Sequence, residues 1–193
     1  MSAGPGDSAS GSEVKGQGVI RYGGQEMPVG DVGFEIELDS GSYEDIANGR
    51  PFHSLSLWAD PENDGIPRLV MTDVDLYAAG APDALDGLRL RVDTESGDFD
   101  EAPDVWIRPG SLVGMAEVVF EPHSAEDSGD WDPNARRSLA GVLELRIDRQ
   151  GAEWRIRVST GVEGDRPSDD PDSMFYADFV APLALLGLRG DAD

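Results

Sequence analysis

The chain has 193 residues, thirty-nine of them acidic and fifteen basic, for a formal net charge of −24 at pH 7. A surface of that sign repels nucleic acid and anionic membrane, so neither is an expected partner. There is no cysteine, which excludes disulfide frameworks, thiolate metal sites and cysteine catalysis, and no apolar run of about 18 residues, which excludes a helical membrane span.

Residues 1–17 are mostly small and polar. Such a stretch buries too little apolar surface to offset the entropy of ordering, so a flexible tail is expected there. It lacks a basic region followed by an apolar core, so a signal peptide is not expected. Residues 18–193 read as a single β-sandwich domain, of a size that folds without disulfide or metal.

From Gly18 the pattern is that of strands. Val19 to Tyr22 and Glu26 to Val29 flank Gly23-Gly24, a hairpin signal. Phe34 to Asp39 alternates apolar and acidic residues, as a half-buried strand does. Ser42 to Asn48 has room for a turn or two of helix. Phe52 to Trp58 and Leu69 to Tyr77 are longer and less regular strands. Leu88 to Asp93 alternates cleanly; Val105 to Arg108 and Met115 to Glu121 follow. Val142 to Thr160 reads as a hairpin. A turn at Gln150-Gly151 sets Ile147 opposite Trp154, Leu145 opposite Ile156 and Leu143 opposite Val158, with Glu144 facing Arg157 and Arg146 facing Arg155. Phe175, Ala177 and Phe179 mark a last strand, and Leu183 to Leu188 a short helical or irregular cap. The expected fold is all-β: a mostly antiparallel β-sandwich or flattened barrel of about nine or ten strands.

The order of these segments resembles that of uncharacterised bacterial lipoprotein-type β-sandwich domains. The resemblance is carried by the glycine-led first hairpin (Gly18 to Val29), the middle segment Leu69 to Tyr77, the late hairpin from Gly141 and the strand Phe175 to Leu183. It covers residues 18–183 and implies the fold and export. It brings no catalytic residue, and the lipidated cysteine of such proteins is absent here.

Chemistry-bearing constellations are few. His53 and His123 are far apart in sequence, and His53 and Ser54 are strand neighbours whose side chains point to opposite faces. Neither a serine triad nor a transition-metal spacing results, and an enzyme is not the expectation. Asp60-Pro-Glu-Asn-Asp-Gly places oxygen ligands at alternate positions but lacks the twelfth-position glutamate of an EF-hand. Asp60, Glu62 and Asp64 are the candidate ligands for Ca²⁺, and no other cofactor is expected; a solvated acidic turn is the alternative. Clusters at Asp98, Asp127 and Asp169 arise readily in a chain with twenty-five aspartates. Trp131, flanked by Asp130 and Asp132, is the candidate partner or sugar contact. Trp154 reads as core, while Trp58 and Trp106 suit core or cleft. Arg89, Arg91, Arg146, Arg155 and Arg157 fall on outward strand faces. They either pair with carboxylates across strands or, if the strands are neighbours, form a basic stripe for an anionic ligand or glycan.

The acidity itself has two explanations: adaptation to high salt, which screens self-repulsion, or calcium loops. The sequence is therefore read as a non-enzymatic β-sandwich module for binding or assembly. It is expected outside the cytoplasm or on a particle surface, with a protein, a glycan or a second copy as partner. The alternatives are a structural subunit of a viral particle or cell envelope from a saline habitat, and a glycan hydrolase.

Overall fold

Alternation of buried and exposed side chains sets the architecture. The structure, a computed structural model, describes residues 16–38, 52–63, 66–78, 83–93, 105–107, 116–119, 136–162 and 174–186. The strands are β1 (Gln17–Tyr22), β2 (Gln25–Leu38), β3 (Phe52–Pro61), β4 (Arg68–Ala78), β5 (Leu88–Asp93), β6 (Val105–Ile107), β7 (Ala116–Val119), β8 (Arg136–Gln150), β9 (Glu153–Val162), β10 (Phe175–Ala181) and β11 (Leu183–Leu186). A 3₁₀ turn, Asp83–Leu85, precedes β5. The protein is all-β, and its pairs are antiparallel except β2 with β11.

The pairings run β1-β10-β9-β8-β7-β4-β3-β2, and β2 returns to β1. The sheet thus curls on itself into a flattened barrel. One layer holds β5, β8, β9, β10, β1 and the start of β2; the other holds β11, the rest of β2, β3, β4, β6, β7 and the start of β8. Two long strands turn the corners. β2 leaves β1 after Pro28, and its register with β3 shifts between Val29 and Asp31. β8 leaves β7 after Ser138, and its register with β9 shifts between Ala140 and Glu144. Gly141 lies in that bend at φ +72°, a conformation that an L side chain rarely adopts.

The core lies between the layers. Phe34, Ile36, Leu55, Leu57, Leu69 and Met71 meet Leu143, Leu145, Ile147, Ile156, Val158, Phe175 and Phe179, all no more than 1% exposed. Phe34 and Trp154 contact edge to face across the layers, with centroids 6.1 Å apart. Trp154 is therefore core, as its alternation implied. Each such side chain stabilises the fold by roughly 1.5–3 kcal/mol on burial.

Three local expectations need correction. The late hairpin turns at Gly151-Ala152, not Gln150-Gly151. Gly151, at φ +69°, then takes the first central position, where hairpin turns need positive φ. The register moves by two residues: Ile147 faces Ile156, Leu145 faces Val158, Arg146 faces Arg157 and Asp148 faces Arg155. A shift of two keeps every side chain on its own face, so the core is unchanged. Glu26 to Val29 and Phe34 to Leu38, read as separate strands, are one bent strand. Leu183–Leu186 is extended and pairs in parallel with Phe34 to Glu37, because backbone bonding to β2 outweighs the helical tendency of a leucine run. Residues 1–15, most of the expected tail, and the Ser42 to Asn48 segment lie outside the described residues.

Trp58 and Gly33 stand opposite each other on β3 and β2. A Cβ at Gly33 would lie 2.0 Å from the indole ring. The half-buried tryptophan therefore lies flat over the glycine and closes the gap left by the missing side chain. Gly33→Ala should displace this ring, lower stability by about 1–3 kcal/mol and red-shift the tryptophan emission. Unchanged melting and emission would show that the contact contributes nothing.

Candidate functional site

Inward-facing apolar residues on β5, β8, β9 and β10 leave their neighbours pointing out. Leu88, Leu90 and Val92 are buried, so Arg89 and Arg91 are exposed. Burial of Leu143, Leu145 and Ile147 turns Glu144, Arg146 and Asp148 outward. Burial of Trp154, Ile156 and Val158 does the same for Arg155, Arg157 and Ser159, and β10 adds Tyr176 and Asp178. The strands are neighbours, so these side chains share one face.

The register arranges them in rows across the strands. One row reads Arg89, Arg146, Arg157, Asp178. The next reads Arg91, Glu144, Ser159, Tyr176, Arg21, Glu26. Three arginines thus stand in file on adjacent strands, although like charges directly opposite destabilise a sheet. Carboxylates answer from the diagonals. Asp148 bridges Arg89 (2.5 Å) and Arg157. Asp178 holds Arg155 through two bonds, at 2.8 and 2.7 Å, and accepts from the Tyr176 hydroxyl at 3.1 Å. Glu144 lies between Arg91 at 3.7 Å and Arg146 at 4.0 Å, too far for a hydrogen bond to either. Arg146, at the centre of the file, is the most weakly matched. Arg157 keeps its Nε buried without an acceptor.

A cleft of about 250 Å³ opens where the two rows meet, lined by Glu144, Arg146, Arg157, Val158, Ser159 and Tyr176. The Arg21 guanidinium lies 5.4 Å from the centroid of the Tyr176 ring. Burial raises the Tyr176 phenol above its ordinary value, and the neighbouring Asp178 charge adds to this. The Arg155 hydrogen bond holds Asp178 below the usual carboxylate range, against the opposing effect of burial. For Asp148, burial is the largest influence and pushes upward, but hydrogen bonds and charge from Arg89 and Arg157 together hold it low.

The other sites expected from sequence fall elsewhere. Asp60 is buried, with Oδ1 3.8 Å from the Arg68 guanidinium; Glu62 is exposed; Asp64 lies outside the described residues. No group of three or more His, Asp or Glu side chains is arranged to hold a metal among the described residues. Trp131, Asp130, Asp132 and His123 lie outside them as well. His53 is buried on β3, and Trp106 lies on β6. Sequence reasoning placed the five arginines outward but missed Arg21, Ser159, Tyr176 and Asp178 as their neighbours. A glycine-first turn at Gly151 would have placed Ser159 opposite Glu144, whereas Tyr176, Asp178 and Arg21 are set by the pairing of β10 with β9 and β1. Comparison with family models, curated proteins and solved structures finds no match to this chain.

Asp148 and Asp178 are depressed in the folded state and return to about 4 on unfolding. Their contribution to stability is complete above that value and is lost as pH falls through the depressed ones. Asp178→Asn should lower the melting temperature at pH 7 and flatten the loss of stability between pH 4 and more acidic conditions. An acid-unfolding curve parallel to that of the unsubstituted chain would count against the Arg155–Asp178 coupling.

Proposed function

We propose that this chain is a non-enzymatic β-sandwich binding module, and that its contact face is the arginine-bearing outer face of β5, β8, β9 and β10. Its partner carries negative charge. One observation carries this reading: Arg89, Arg146 and Arg157 stand in file on a chain of net charge −24. A face selected only for solubility gains nothing from three adjacent cations. An oxyanion placed between Arg146 and Arg157 relieves their repulsion and gains charge-assisted hydrogen bonds. The long-range field of the chain repels anions, so affinity comes from contact rather than from steering.

Citrate and sulfate, titrated in turn into isotope-labelled protein, test this by amide shifts. Perturbations should cluster on β8, β9 and β10, and Arg146→Glu should weaken binding by about tenfold or more. Shifts spread over the whole chain, or none, would remove the proposal.

β11 supports a second reading, that of an assembling structural subunit. It bonds to β2 on one side, carries no charge, and exposes Leu185 (51%) and Leu186 (45%). An edge strand of that composition is suited to pairing with a second copy about a two-fold axis. Light scattering at rising concentration should then show a dimer that Leu185→Lys dissociates; a monomer throughout ends this reading.

A further inference from the structure

We infer that the ligand of the β8–β9–β10 cleft is an acidic sugar, a ring bearing a carboxylate or sulfate beside free hydroxyls. This deepens the binding-module reading and rests on it. The lining is of mixed sign: Arg146 and Arg157 on one side, Glu144 on the other, with Ser159 between Glu144 and Tyr176 in the row. A simple anion gains from the arginines but meets repulsion from Glu144. A ligand that carries an oxyanion next to hydroxyl donors satisfies both, because the guanidinium groups donate to the oxyanion while the Glu144 carboxylate accepts from a hydroxyl.

The remaining wall suits a sugar ring. Tyr176 is half-buried, its hydroxyl is tied to Asp178 at 3.1 Å and the Arg21 guanidinium lies over one face of the ring, so the ring is held in place and a ligand meets what Arg21 leaves uncovered. Aromatic residues with one apolar body and a fixed polar tip are well suited to amphipathic ligands. Ser159 offers a hydroxyl that both donates and accepts. At about 250 Å³ the cleft is smaller than a typical enclosed ligand pocket, roughly 300–1,000 Å³. It lies on the outer surface of strands, where a chain of sugars can run past while one residue is seated. Arg157 lines the cleft with its Nε buried and lacking an acceptor, while its terminal nitrogen is held by Asp148.

Calorimetry with four probes tests the inference: an oligogalacturonate, a sulfated oligosaccharide, a neutral oligosaccharide of the same length, and citrate. At least one acidic oligosaccharide should bind tenfold or more tightly than citrate, and the neutral one should not bind. Whichever acidic probe binds identifies the oxyanion. Arg146→Gln should cost about tenfold for the acidic sugar, and Glu144→Gln should narrow the preference for sugar over citrate. Both side chains are about half exposed, so both variants should keep the fold, which circular dichroism checks. Citrate binding at this face with no gain for an acidic sugar would overturn the sugar and leave the binding module standing. No binding by any probe would overturn both.

Discussion

Everything in this fold depends on how β2 and β8 change layer. A flat run of alternating strands leaves open edges and a single wet face. Here both long strands belong to one layer at one end and to the other layer at the other. The bends at Gly30 and Gly141 turn a sheet into a closed ring. Closure removes most backbone edges and, among the described residues, places two apolar faces against each other with no helix covering either. Corners made by bulged strands are the usual solution where two sheets meet.

The same alternation decides where charge goes. An inward row of Leu, Ile, Val and Phe forces whatever lies between onto the surface. On β2 that means the carboxylates of Glu35 and Glu37. On β5, β8 and β9 it means arginines, and the register then aligns them. The arrangement is neither a free basic patch nor a fully neutralised lattice. Asp148 and Asp178 are committed to Arg89, Arg157 and Arg155, whereas Glu144 is divided between two arginines it does not quite reach. Surface pairs of this kind stabilise little, about 0–1 kcal/mol each. Their effect is on orientation: Asp148 holds Arg89 and Arg157, and Asp178 holds Arg155, in fixed positions on the face.

The architecture was legible because period-two burial is a local signal. Phe34 and Ile36, Leu88 to Val92 and Phe175 to Phe179 are buried where their alternation put them. Pairing is a nonlocal property, and there the sequence was less informative. Gln-Gly and Gly-Ala both fit a short turn, and the chain takes the one that gives Gly151 the first central position with positive φ. β11 was misread because a leucine run carries no period, and its partner Phe34 to Glu37 is remote in sequence. The arginines were visible one by one, but their file was not, since it exists only in the register.

The pairing of β1 with β10, and of β2 with β11, has a consequence for synthesis. The first two described strands are bonded to the last two. Until Phe175–Ala181 emerges, β1 lacks one neighbour, and Ile20 and Phe34 lack part of their cover. Such long-range closure slows folding and leaves sticky edges waiting. The net charge of −24 sets copies of the chain against one another while that seam is open.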